Sequence, residues 1–160
     1  MPRIPDELAS AFDEYVAGPA NLREAIRDLD ATVLNRRPPG EEWSTRDVVM
    51  HLVDAEMVGG VRLRIIIASE EELALPGIDA EQWKRRLHYL FRDIEAAMVT
   101  MDHMRFGNAE LLQQLSKDTW EKTGVHPNYG QMSIGQLLRG TVDHTAAHVK
   151  QIGAFRAAAG

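Results

Sequence analysis

Apolar residues recur at helical spacing along most of the chain. Leu8, Phe12, Tyr15 and Val16 share one face of a first segment, which opens at Pro5-Asp6-Glu7. Acidic residues there suit the positive end of a helix dipole. The period resumes after Gly18-Pro19 through Leu22, Ile26 and Leu29, which predicts one long helix, kinked or broken at Gly18-Pro19. Asp30 to Asn35 adds a short helical turn, and Arg36-Arg37-Pro38-Pro39-Gly40 reads as a loop. A second helix opens at Ser44, where a hydroxyl cap is followed three residues later by the carboxylate of Asp47. Its stripe runs through Val48, Val49, Leu52, Met57 and Val61 and extends to Ile67. Gly59-Gly60 lies inside it, although a glycine in a helix interior costs about 1 kcal/mol relative to alanine. The pair marks a close helix approach, room for a ligand, or a break.

Leu75-Pro76-Gly77 is a loop, and Asp79-Ala80-Glu81-Gln82 is a further cap. A third helix follows, with Trp83, Leu87, Leu90, Phe91, Ile94, Met98 and Met101 on one face. A bend is expected at Phe106-Gly107-Asn108, and more helix from Ala109 to Leu115. Thr119 to Gln131 holds Gly124, Pro127 and Gly130 and reads as a long connection. The last helix is capped by Ser133 with Gln136, and Ile134, Leu138, Thr141, Thr145, His148 and Ile152 lie on its inner stripe. No segment shows the alternation of a buried strand, and no repeat is present. Four amphipathic helices predict an all-α fold, a four-helix bundle, in one domain over residues 1–160. The link between the second and third helices is long enough to cross the bundle.

Composition narrows the function. The formal net charge is −6, which opposes a sequence-independent grip on nucleic acid. There are no cysteines, so disulfides, zinc–thiolate sites and a cysteine nucleophile are excluded. The N-terminus lacks the apolar run of a signal peptide, and no segment approaches the roughly 20 apolar residues that span a bilayer. A cytoplasmic protein with no membrane partner is expected.

The chemistry concentrates in histidine. His144 and His148 stand four residues apart and so share one face of the last helix. His51 lies on the apolar side of the second helix and supplies a third imidazole. Three neutral imidazoles around a divalent ion leave coordination positions open, as catalytic sites do. Imidazole suits zinc and nickel, and also iron and copper. The plain alternative is a chance histidine pair on a partly buried face. Asp47, Asp54, Asp143 and Gln151 are available to orient the rings, against the simpler reading of a solvated helix face. His88, His103 and His126 read as surface, packing or loop histidines, although His126 is within reach of the site's mouth. Trp43 is expected as a hydrophobic staple or a pocket wall, and Trp83 and Trp120 as packing residues. Arg62 and Arg64 are candidates for an anionic substrate, with solvated arginines as the ordinary reading. No phosphate-binding glycine loop or nucleophile elbow occurs.

Two separated stretches carry a family resemblance. Trp43-Ser44-Thr45-Arg46-Asp47-Val48-Val49-Met50-His51-Leu52-Val53-Asp54-Ala55-Glu56 resembles the second-helix signature of the DinB/YfiT-like metalloproteins. Gly124-Val125-His126-Pro127, Gly130 and the run from Thr141 to Ile152 resemble their C-terminal signature, and Tyr15, Gly18-Pro19 and Leu22-Arg23 also fit. The resemblance implies a bundle of down-up-up-down topology, often dimeric, with a metal held by His51, His144 and His148. Thr145, Ala146 and Ala147 stand where that pattern often has an aromatic residue or a further histidine, so pocket shape and substrate differ. The implied activity is a low-molecular-weight-thiol-dependent S-transferase using zinc or nickel, with the thiol as cosubstrate; related proteins include a maleylpyruvate isomerase. The alternatives are a hydrolase using hydroxide on the metal, or a non-catalytic metal-binding stress-response module. The partner expected is a small molecule.

Overall fold

The computed structural model describes residues 4–159. Four long helices carry the fold: α1 (Ala9–Ile26), α3 (Thr45–Ala68), α5 (Ile94–Gln113) and α7 (Ile134–Ala157). Between them lie short helices α2 (Ala31–Asn35), α4 (Ala80–Arg86) and α6 (Lys117–Trp120), and a hairpin of β1 (Thr123–His126) and β2 (Gly130–Ser133). Each of α1 and α3 packs against both α5 and α7, so α1 and α3 stand on opposite corners of the bundle. The arrangement is the four-helix, down-up-up-down bundle expected. Residues 69–93, with α4 among them, make the long crossing that parallel neighbours require. No helix among the described residues is long and apolar enough to cross a membrane.

The caps place the helix starts where the sequence put them. Ser44 and Ser133 each form a full capping box, with Asp47 and Gln136 respectively. Asp30 and Asp79 cap α2 and α4. Apolar faces meet in adjoining clusters, one around Leu8, Phe12, Leu63, Leu112, Ile134 and Leu138 and another around Leu22, Val48, Leu52, Met98 and Ile152.

Three expectations need correction. The third helix does not run unbroken from Asp79. It stops at Arg86, His88 takes φ 51°, and the long helix restarts at Asp93, whose side chain caps Ala96 N–H at 2.6 Å. The break lets Tyr89 turn inward to donate to Asp54 Oδ2 at 2.7 Å, while Leu90 and Phe91 stay exposed. Phe106-Gly107-Asn108 makes no bend, because α5 continues through it. Thr119 to Gln131 is not an unstructured link. It takes in the end of α6, all of β1 and the start of β2, four-residue strands too short for an alternating pattern to register, paired from Thr123↔Ser133 to His126↔Gly130. The first helix is the single long one expected, and of the two outcomes foreseen at Gly18-Pro19 a break does not occur. Proline there removes the N–H that would bond the Tyr15 carbonyl four residues back. The Arg105 guanidinium takes that carbonyl instead. Gly18 leaves room for it, since a Cβ at that position would lie 2.7 Å from Arg105 Nη1.

Candidate metal centre

His51 is buried on the inner face of α3, and α7 presents His144 and His148 one turn apart beside it. The structure brings these three together. His144 Nε2 lies 3.0 Å from His51 Nε2 and 3.0 Å from His148 Nε2. Their ligand atoms all lie within 4.8 Å of one another, and the three form a group able to hold a metal ion. Four-coordinate zinc with bonds near 2.0–2.1 Å sets its ligands about 3.3 Å apart, so the donor set fits a divalent cation.

The rings are chemically ready for that role. Burial, then the charges of His144 and His148, pull the His51 pKa down to about 3. Burial, then His148, pulls that of His144 down to about 4. Both are therefore neutral near pH 7 and offer lone pairs. The Gln151 side-chain oxygen, 2.8 Å from His148 Nδ1, accepts a hydrogen bond from Nδ1–H, which leaves the Nε2 lone pair for a metal. His51 Nδ1 is buried and has no hydrogen-bond partner among the described residues. That ring is held by packing, its centroid 5.2 Å from that of the Trp43 ring in a T-shaped pair at 87°. Trp43 also packs on the cluster containing Val48, as a staple does.

Of the residues expected to orient the rings, Gln151 alone makes that contact. Asp47 and Asp54 are buried, contrary to a solvated-face reading, but both are committed elsewhere. Asp47 closes the α3 capping box, and Asp54 binds Tyr89 and Arg92. Asp143 is exposed at the cavity edge. His88 and His103 are exposed and distant from the cluster, whereas His126 is buried and lines the same cavity. Trp120 is buried, and Trp83 packs beside Tyr89 and Met50. Arg64 is spent on Asn108 and the Gly60 carbonyl.

His51 and His144 open onto a cavity of about 570 Å³ between α1, α3, α5, α7 and the hairpin. Its other polar wall was not anticipated. Glu56, 3% exposed, receives Tyr15 Oη–H, Arg105 Nη2–H at 2.8 Å and Asn108 Nδ2–H at 2.9 Å. The Arg105 guanidinium also lies over the Tyr15 ring, 3.9 Å from its centroid. Burial, then the Glu56 charge, raises the Tyr15 pKa, so Tyr15 remains a hydrogen-bond donor. The signal was present in the sequence: Glu56 is a charged residue on a buried helix face, and Pro19 leaves a carbonyl unbonded.

A family model described as the DinB superfamily matches residues 14–152. A protein of Oceanobacillus iheyensis named "Putative metal-dependent hydrolase" is 29% identical over 135 residues, 84% of this chain and 77% of its own length. One of the same name from Bacillus licheniformis is 26% identical over 151 residues, 94% of this chain and 85% of its own. Among solved structures, YfiT from Bacillus subtilis superposes with a TM-score of 0.87 at 20% identity, covering 97% of this chain and 89% of that one. A mycothiol-dependent maleylpyruvate isomerase superposes at 0.73 and 13% identity, covering 94% of this chain and 61% of that one. At such identities the two structures speak for the fold.

Proposed function

The chain belongs to the DinB superfamily, and from that premise we propose that it is a metal-dependent enzyme whose ion is held by His51, His144 and His148. The observation that carries this reading is the convergence of three imidazole nitrogens at the end of a cavity, His51 buried and His144 and His148 half-buried, with no cation or N–H donor of another side chain among the described residues directed at their Nε2 atoms. A divalent cation bound there supplies Lewis acidity, lowering the pKa of a water or thiol beside it and polarising a carbonyl. Gln151 fixes the tautomer of His148, Trp43 holds the His51 ring, and Leu52, Leu63 and Leu138 give the cavity apolar walls. The Glu56 network keeps α1, α3 and α5 in register around the cavity.

Water as the nucleophile, and hence hydrolysis, is favoured by the names of the relatives. YfiT is likewise described as a probable metal-dependent hydrolase. Transfer of a low-molecular-weight thiol to an electrophile is the second reading, favoured by the mycothiol-dependent isomerase that shares the fold. Zinc- and nickel-loaded protein should be tested on ester and amide substrates without thiol, and with a thiol panel and a model electrophile. Thiol-independent turnover lost in His51→Ala supports hydrolysis. Thiol consumption lost in the same variant supports transfer. Activity equal in His51→Ala and wild type, in every assay, rejects the metal-dependent reading.

A further inference from the structure

The cavity has a second end. On α3 its lining runs His51, Ala55, Gly59, Arg62. Arg62 follows His51 by eleven residues, three helical turns, so it lies on the same face about 16 Å along the axis. The residues between are small, and an added Cβ at Gly59 would meet nothing within 4 Å. The floor is therefore an open trough joining the imidazoles to a guanidinium.

Arg62 is held but not neutralised. Its Nε and Nη2 donate to the Pro76 carbonyl at 2.9 and 2.7 Å. The adjoining chain is itself fixed to the hairpin, with Leu75 N–H on the Val125 carbonyl and Val125 N–H on the Leu73 carbonyl, each at 2.9 Å. Nη1 bonds nothing among the described residues, and no carboxylate there lies within ion-pair range. The cavity's other arginine, Arg105, is spent on Glu56. Of the cavity's acids, Glu56 is thereby occupied and Asp143 sits beside His144 in sequence, at the opposite end. A half-buried cation held only by a neutral carbonyl has lost hydration and gained no opposite charge. Its pKa is pulled down by burial, and its charge in turn helps burial to lower that of His126. His126 and Asn128 line the cavity too, with the Asn128 backbone N–H donating to His126 Nδ1 at 3.2 Å.

We propose that Arg62, with His126 and Asn128 beside it, receives an anionic group of the substrate, a carboxylate in the first instance. The substrate class is then an elongated molecule with its anionic terminus some 10–16 Å from the atom that reacts, since the arginine side chain shortens the helical separation. This rests on the metal-site reading for the identity of the reacting end, but the anion site itself does not need the ion.

Two probes separate those parts. Octanoate added to metal-free protein is followed by NMR of the His126 ring. Its signals should shift on binding, with affinity falling at least roughly ten-fold in Arg62→Gln and largely retained in Arg62→Lys. Equal affinity in Arg62→Gln, or no response at His126, overturns the proposal. On zinc-loaded protein, suberic monohydroxamate should bind at least roughly ten-fold tighter than its methyl ester, and Arg62→Gln should erase that preference while leaving acetohydroxamate binding unchanged. A preference that persists in Arg62→Gln also overturns it. Failure of acetohydroxamate to bind at all would instead reject the metal site, leaving the octanoate result to decide the anion site.

Discussion

Two polar clusters share one cavity and one helix, and they are built on opposite principles. Glu56 accepts from Tyr15, Arg105 and Asn108, so its charge is neutralised and its oxygens are occupied. Five residues earlier on α3, His51 points at two further imidazoles that offer it lone pairs of the same sign. A saturated cluster locks its helices together and has no capacity for a ligand. An unsatisfied one contributes little to the fold of the metal-free chain and is completed by something from outside. Burial is common to both, so burial alone does not mark a site; the balance of donors against acceptors does.

The contrast is sharpest under truncation. Glu56→Ala should destabilise the protein by about 3–5 kcal/mol, because it leaves Arg105 buried without its counter-ion. Chemical denaturation would show it. His144→Ala, measured on metal-free protein, should cost far less, since it also relieves ring–ring repulsion. Equal losses at the two positions would erase the distinction.

Acid should act on the open cluster. Burial holds His51 and His144 at folded pKa values of about 3 and about 4, well below the ordinary imidazole value of 6.5. Below pH 6.5 the unfolded chain takes up protons that the folded one refuses, so stability falls as pH falls. Between pH 7 and 5.5 the two rings together should cost metal-free protein roughly 2–3 kcal/mol. The drop in melting temperature over that range should be smaller in His51→Ala. An identical acid dependence would contradict the burial of those rings.

Gln151→Ala removes the acceptor for His148 Nδ1–H and should weaken zinc binding roughly 10–100-fold with little change in metal-free stability. Competition with a chelator of known affinity measures it; unchanged affinity would show that Gln151 does not orient the ring.

The smallest effects come from the glycine pair. Gly59→Ala projects into the open trough and should stabilise α3 by about 0.5–1 kcal/mol. Gly60→Ala would place a Cβ 2.9 Å from Asn108 Nδ2, a side chain fixed by Glu56 and Arg64, and should destabilise instead. Thermal melts of the two variants moving in the same direction would show that the network yields.

The sequence exposed the parts of this design that repeat locally. Helix caps at Ser44, Asp79 and Ser133 are written in neighbouring residues, and the three histidines stand on faces that periodicity assigns. What escaped depends on partners far along the chain. Pro19 signals a break until Arg105, 90 residues from Tyr15, fills the bond it vacates. The stripe through Leu87 and Phe91 fits a helix until Tyr89 finds Asp54 and turns the chain. His126 looked like a loop residue because a four-residue strand leaves too short a pattern to read.

Zinc titration of metal-free protein by calorimetry tests the central claim most directly. One ion per chain is expected for the wild type, with affinity falling by more than the roughly hundred-fold that losing an orienting group can cost when His51, His144 or His148 is replaced singly by alanine. Binding of the same stoichiometry and affinity in all three variants would contradict it.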